Sequence, residues 1–348
     1  KTEQGFETGM DTRTFLYLAD FAARSGFEYL LVDAGWSERN DITRRRPSVD
    51  IPEIIRYAKS KGVGTWLWVH WTGVDSHMNE AFPLYEKWGA AGVKIDFMDR
   101  DDQWMVNWYR RVVEKAAAHR LMVDFHGAFK PDGLRRTWPN LLTREGAIGL
   151  EYTKWSASAD PEHNVTLPFT RLLAGPIDYT PGGFDNVTKA DFIARRDDPM
   201  ALGTRAHQLA MFVVLESPFM VVADHPSAYE GQPAFEFIKK VPVDWDETRV
   251  IDAQVADFIT IARRRGRDWF TGSLTDWSPR ELEITLSFLP AGRFTAEIYA
   301  DAPDADRNPK NVTISHRSVT RDDVLKARLA PGGGHAIHIF PAGKEAKQ

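Results

Sequence analysis

The 348-residue chain contains no cysteine. Disulfides, zinc–thiolate sites and thiol nucleophiles are therefore excluded, while the compartment is left open. No apolar run is long enough to span a bilayer. The opening stretch KTEQGFETGM carries no signal-peptide pattern. Basic residues are scattered and the net charge is −5, so neither a nucleic-acid groove nor a polybasic membrane patch is expected. The chain also lacks G-x-G-x-x-G and Walker motifs, which leaves a nucleotide-binding fold without support. It has no H-x-H or H-E-x-x-H for zinc and no G-x-S-x-G for a serine hydrolase.

What is present is a strand–helix rhythm. Hydrophobic residues make up 43% and charged residues 27%, an ordinary globular balance. At this length the chain can form one large domain with an appendage. DTRTFLYLADFAARSGF has helical spacing, with Asp11 as N-cap and Gly26 as stop. EYLLVDAGW reads as a strand ending at Asp33. DIPEIIRYAKSKG follows as a helix, VGTWLWVHW as a strand ending near His70, and NEAFPLYEKWGAAG as a helix with Pro83 near its start. VKIDFMD is the next strand, QWMVNWYRRVVEKAAAHR an amphipathic helix, and LMVDFHG and NLLTREG two further strands. Such apolar strands between helices predict a parallel sheet covered by helices.

After Glu145 the rhythm loosens. LAGPIDYTPGGF predicts a strand running into a loop, PMALGTRAHQLAMFVVLESP a helix, FMVVAD a late strand and SAYEGQPAFEFIKKV the last helix. From about Arg249, period-two alternation broken by turns predicts antiparallel β structure. The H-x-x-H pair His335 and His338 falls there and reads as strand surface. The tail AGKEAKQ is expected to fray. Domain limits are therefore set at 1–250 for the barrel and 251–348 for the all-β domain. A barrel should open on a strand, yet none is expected before Asp11. The first barrel strand is accordingly expected to be missing, either because the chain is a piece of a longer protein or because the strand is supplied otherwise.

A polar residue closes each strand: Asp33, His70, Asp96, His126 and Glu145, separated by 37, 26, 30 and 19 positions. Each interval is about one βα unit. A (β/α)₈ TIM-type barrel would gather all five at one face, where active sites lie; a doubly wound sheet would spread them along an edge. The barrel is the preferred fold.

Two carboxyl groups flanking one bond are what glycoside hydrolysis requires. Lys94 lies two residues before Asp96 and so shares its side of the strand. A nearby ammonium favours an ionised carboxylate, which suits a nucleophile. Pattern alone equally allows a barrel-interior ion pair. Glu145 and Glu151 sit in the small-residue stretch TREGAIGLEY, and two glutamates in a tight loop suit a hard cation such as Ca²⁺. His70 and His126 read either as interior histidines or as hydrogen-bonders to substrate. The 12 tryptophans mostly read as core; Trp36, beside the acid of VDAGW, is the better candidate for a sugar platform.

LVDAGW, GVKIDFMDRDDQ, DFHGAFKPDGLRRTWPNLLTREG, GLEY and HNVTLPFTRLLAGPIDYTPGGF resemble glycoside hydrolase family 97, over most of the chain. The resemblance implies an exo-acting bacterial α-glycosidase, periplasmic or secreted. It implies a β-sandwich ahead of the barrel, expected to be absent from this chain, which in the family contributes a carboxylate to a calcium site. Inverting members carry a glutamate base after the histidine of the fifth strand, where this chain has Gly127. Retaining members carry an aspartate on the fourth strand, where this chain has Asp96. By resemblance Asp96 is the nucleophile, Glu151 the acid/base, and Glu145 a Ca²⁺ ligand, with Glu151 sharing the ion. Asp33, Trp36, His70, Lys94 and His126 are expected to line the sugar site. The expected activity is that of a retaining α-galactosidase acting on α-galactoside oligosaccharides. α-Glucosidase and β-L-arabinopyranosidase are the alternatives within the family, and a non-catalytic sugar-binding barrel is the alternative outside it.

Overall fold

The computed structural model describes residues 2–3 and 5–343. The tail expected to fray lies, from Lys344 on, outside the described residues. The fold is a TIM-type barrel followed by a C-terminal antiparallel β domain, the class expected from the sequence. By density of contacts the chain divides into two units: residues 1–147 with 174–178, and residues 148–173 with 179–348.

The first unit opens with β1 (Thr2–Glu3) and β2 (Phe6–Glu7), an antiparallel pair where no strand was expected. Two-residue strands are too short for alternation to reveal them. Then come α1 (Thr12–Ser25), β3 (Tyr29–Val32), α2 (Ile51–Ser60), β4 (Gly64–His70), α3 (Trp71–Trp88), β5 (Gly92–Asp96), α4 (Gln103–Ala118), β6 (Met122–Phe125) and β7 (Leu141–Arg144). Asp11 caps α1 by accepting from the Thr14 N–H at 2.9 Å, and Gly26 ends it at φ 77°. In α2 the buried residues Ile51, Ile54, Ile55 and Ala58 form one stripe at helical spacing.

Strands β3 to β7 form one parallel sheet in chain order. An isolated parallel bridge from Arg144 to Ile177 carries it on to segment 174–178. The register sets Trp68 beside Lys94 and Lys94 beside Asp124, with His70 beside Asp96 in the next row. Helix α3 begins at Trp71, a dozen residues ahead of Pro83, so that proline is interior. The reason lies in His70, whose Nδ1 accepts from the Thr72 N–H at 3.2 Å and caps the helix. Histidine is not a usual N-cap residue, and the sequence carries no other start signal there.

In the second unit the elements are first short: a 3₁₀ turn at Leu150–Lys154, α5 (Pro161–Thr166), β8 (Asn186–Val187), β9 (Ala201–Leu202), α6 (Arg205–Val214), α7 (Pro226–Tyr229) and α8 (Phe235–Lys240). The long helix expected over 199–218 is only α6. The helix expected over 227–241 is broken between α7 and α8, where Gly231 and Pro233 fall. Residues 219–224 form no strand, although the Ala223 N–H donates to the Pro181 carbonyl. Every residue of α6 is buried, which explains an apolar run without amphipathic period.

The all-β part comprises β10 (Glu247–Gln254), β11 (Phe258–Arg265), β12 (Asp268–Thr275), β13 (Arg280–Thr285), β14 (Phe294–Asp301), β15 (Val312–Val319), β16 (Val324–Leu329) and β17 (Gly334–Pro341). Six strands form one sheet in the order β10-β11-β12-β17-β14-β15, and β13 pairs with β16. Strand β10 straddles the expected limit at 250/251. His335 is 97% buried and His338 packs flat on Phe270, so neither is strand surface as expected. Among the described residues, no helix is long and apolar enough to cross a membrane.

Candidate functional site

The five strand-closing residues sit where the rhythm put them. His70 and Asp96 end β4 and β5; Asp33, His126 and Glu145 each follow their strand by one residue. Within the first unit, Lys94, Asp96, His126 and Glu145 are brought together as buried groups, with Asp33 at a more exposed edge.

Asp96 is held at both oxygens. Its Oδ1 accepts from the Phe97 N–H at 2.6 Å, and its Oδ2 from the Trp68 indole N–H at 3.0 Å. His126 Nδ1 stands 3.6 Å from Oδ2. Burial works to raise the pKa of this carboxyl, but His126, the Trp68 donor and Lys94 outweigh it and hold the group below its ordinary value. Asp96 is therefore ionised near neutrality, as a nucleophilic carboxylate must be.

The expected direct pairing of Lys94 with Asp96 is replaced by another. The Lys94 ammonium lies 3.7 Å from Asp33 and 3.8 Å from Asp178, and acts on Asp96 only through its field. Burial alone would lower its pKa, yet Asp178, Asp33, Asp124 and Asp96 together hold it above the usual lysine range. Asp178 and Asp124 were absent from the sequence-based set. Asp178 closes the short run PID, which bridges to Arg144, so the strand-closing rule that found the other five applies to it too. Asp124 sits inside β6, wholly buried, and burial with the nearby Asp178 pushes its pKa well up. Nothing but its register beside Lys94 could have marked it.

His126 faces three carboxylates: Asp96 at Nδ1, with Glu145 at 3.4 Å and Asp178 at 3.7 Å from Nε2. Burial and Lys94 lower its pKa, but these acids prevail and raise it to about 9. Glu145 is fixed by the Gly127 N–H, 2.7 Å from its Oε2. Glu145 and Asp178 thus stand 3.4 and 3.7 Å from His126 Nε2, and Glu145 with the neutral form of His126 offers ligand atoms close enough to share a cation. A bound cation would require the imidazole to be neutral.

His70 uses Nδ1 as acceptor toward Thr72, which leaves the hydrogen on Nε2. That Nε2 is buried and has no hydrogen-bond partner among the described residues. Burial and then Arg39 hold the ring below the ordinary histidine pKa, so it is a neutral donor. Trp36 does not belong to the site: it is 0% exposed, packs edge-on against Tyr85 and donates its indole N–H to the Trp68 carbonyl at 2.6 Å. Its place beside the acid of VDAGW made it look like a sugar platform, but the side chain turns into the core. Glu151 lies in the second unit, on the 3₁₀ turn Leu150–Lys154 rather than in an open loop. It is half-buried, with the Lys154 ammonium 3.9 Å away.

Gly127 has φ 57°. A Cβ built there would stand 2.9 Å from the Phe97 nitrogen, 3.0 Å from Asp96 Oδ1 and 3.1 Å from Asp99 Oδ1. A Cβ at 127 would press on the Phe97 nitrogen and the Asp96 carboxylate, so one or both would have to shift.

Family models match two stretches of the chain: "Glycoside hydrolase 97" over residues 1–147, and "Glycosyl-hydrolase 97 C-terminal, oligomerisation" over 244–340. A curated retaining alpha-galactosidase from Bacteroides thetaiotaomicron is 40% identical over 96% of this chain and 51% of its own length. A probable retaining alpha-galactosidase from Streptomyces bingchenggensis is 34% identical over 91% of this chain and 48% of its own. The chain thus spans about half the length of these curated relatives. A solved family 97 enzyme from Pseudoalteromonas sp. strain K8, in complex with acarbose, superposes with TM-score 0.86 at 36% identity, covering 97% of this chain and 57% of that one.

Proposed function

Because the chain belongs to glycoside hydrolase family 97, we propose that it hydrolyses terminal α-glycosides with retention of configuration, α-galactosides foremost, using Asp96 as nucleophile and Glu151 as acid/base. The observation that carries this reading is the Asp96 carboxylate: ionised, gripped at both oxygens, and facing a position 127 where a Cβ would crowd it. An inverting enzyme would need a base at 127, which speaks against the inverting α-glucosidase alternative.

In this reading Asp96 attacks the anomeric carbon while the Glu151 carboxyl gives its proton to the departing glycosidic oxygen. The glycosyl ester on Asp96 is then cleaved by water, from which Glu151 takes a proton. Two inversions give net retention. The Trp68 and Phe97 N–H groups keep the carboxylate aimed throughout. Glu145 and His126, joined by Glu151, would hold a Ca²⁺, which when bound supplies positive charge to the sugar site. The family's periplasmic or secreted location is carried over with the same reading.

The deciding experiment follows an aryl α-galactoside by NMR from the first turnover. The product formed first should be α-galactose; β-galactose would overturn the mechanism. Chelator should lower the rate and added Ca²⁺ restore it, whereas indifference to chelator would remove the cation. Gly127→Ala should lower kcat by about 10²-fold, because the added Cβ must displace Asp96 or Phe97 and small misplacements of reacting groups cost that much. A variant with unchanged kcat would show that the crowding at 127 does not reach the chemistry.

A further inference from the structure

We propose that the ring of Phe97 is the stacking platform for the apolar face of the bound sugar, and that the chain accepts a strained turn in order to place it there. This rests on the reading of Asp96 as the group that meets the sugar. In a regular strand successive side chains alternate, so residue 97 would face away from Asp96 into the helical layer. It does not follow that course. Phe97 has φ 69°, a left-handed conformation unfavourable for a bulky residue. The ring is consequently re-aimed: it stacks on His70 at 5.5 Å and 27°, and meets Trp68 edge-on at 6.1 Å and 78°. Both are neighbours of Asp96, His70 by strand register and Trp68 by its indole hydrogen bond.

The turn is fixed from several sides. The Phe97 N–H donates to Asp96 Oδ1, Asp99 repeats the left-handed geometry, and the Asp99 N–H donates to the Gly127 carbonyl at 2.8 Å. Despite these restraints Phe97 is left 51% exposed, while the next residue, Met98, is buried. An exposed aromatic held at energetic cost beside a nucleophile suggests a ligand that covers it. Next to it lies the unpartnered His70 Nε2–H, a buried donor that also lacks its acceptor. An apolar face bordered by a hydrogen-bond donor is what a pyranose presents in complement: a patch of C–H groups rimmed by hydroxyls.

The test measures free D-galactose binding, by calorimetric titration and by inhibition of aryl α-galactoside hydrolysis, for wild type, Phe97→Ala, Phe97→Leu and Phe97→Tyr. Loss of the ring should weaken galactose binding roughly tenfold and raise KM in parallel. Tyr should restore both, while Leu, apolar but not flat, should restore them only in part. Alanine binding galactose as well as wild type would overturn the proposal. So would a lowered Tm with unchanged galactose affinity, which would reassign the ring to packing. Failure of the catalytic reading looks different: a wild type that hydrolyses nothing yet binds galactose in a ring-dependent way leaves the platform standing. A wild type with no saturable galactose binding overturns both.

Discussion

Asp96→Ala is expected to reduce turnover of an aryl α-galactoside by a factor on the order of 10⁴ or more, as loss of a covalent nucleophile does. Azide should rescue the variant, because removing the carboxylate opens space for a small anion beneath the anomeric carbon. The rescued product should be β-galactosyl azide, since only one displacement then occurs. An α-azide, or a variant that keeps substantial activity without rescue, would contradict the assignment. Glu151→Ala should behave differently: a substrate with a good leaving group still glycosylates Asp96, and only deglycosylation becomes slow. The two profiles separate the roles of two carboxyl groups that a simple loss of activity would not.

Lys94→Met should destabilise the protein by about 3–5 kcal/mol at neutral pH, the usual cost of removing one side of a buried charge cluster. Methionine preserves most of the volume, so packing is a minor part. The ammonium is almost wholly buried and is shared by Asp33 and Asp178, with Asp124 and Asp96 close by. Urea unfolding followed by tryptophan fluorescence measures the change. Its pH dependence identifies the cause. In the wild type Asp96 titrates below its ordinary value of 3.8. It therefore contributes stability above that pH, which is lost as the pH falls through the folded-state value. Lys94 is one source of that depression, so the gap between variant and wild type should be widest near neutrality and narrow below about pH 4. A gap of constant size across pH would assign the loss to packing instead.

Much of the site was legible because a barrel turns spacing along the chain into proximity. Polar residues that interrupt apolar strands at intervals of one βα unit are costly unless they share a purpose, and Asp33, His70, Asp96, His126 and Glu145 could be collected on that ground alone. Asp178 escaped because the strand expected over LAGPIDYTPGGF runs straight into a loop, with no sign of where it closes; in the structure it is a single bridge at Ile177. Asp124 escaped because a carboxyl inside a strand looks like any other alternating polar position until its neighbour is known to be Lys94. The helix at Trp71 escaped because its cap is a histidine. The supposed strand at 219–224 failed because its apolar residues join no ladder.

What the sequence by itself determined is the fold class, the order of its strands and a set of polar residues that close them; these depend on patterning, and hydrophobic burial enforces patterning wherever one face must leave water. Only the tertiary structure decided which charge answers which. Lys94 meets Asp33 and Asp178, His126 takes the carboxylate of Asp96, Trp36 turns inward, and a left-handed backbone leaves Phe97 half exposed. Coulomb attraction, burial and ring contact act over a few ångströms in space, and positions dozens of residues apart acquire those distances only when the sheet closes its register.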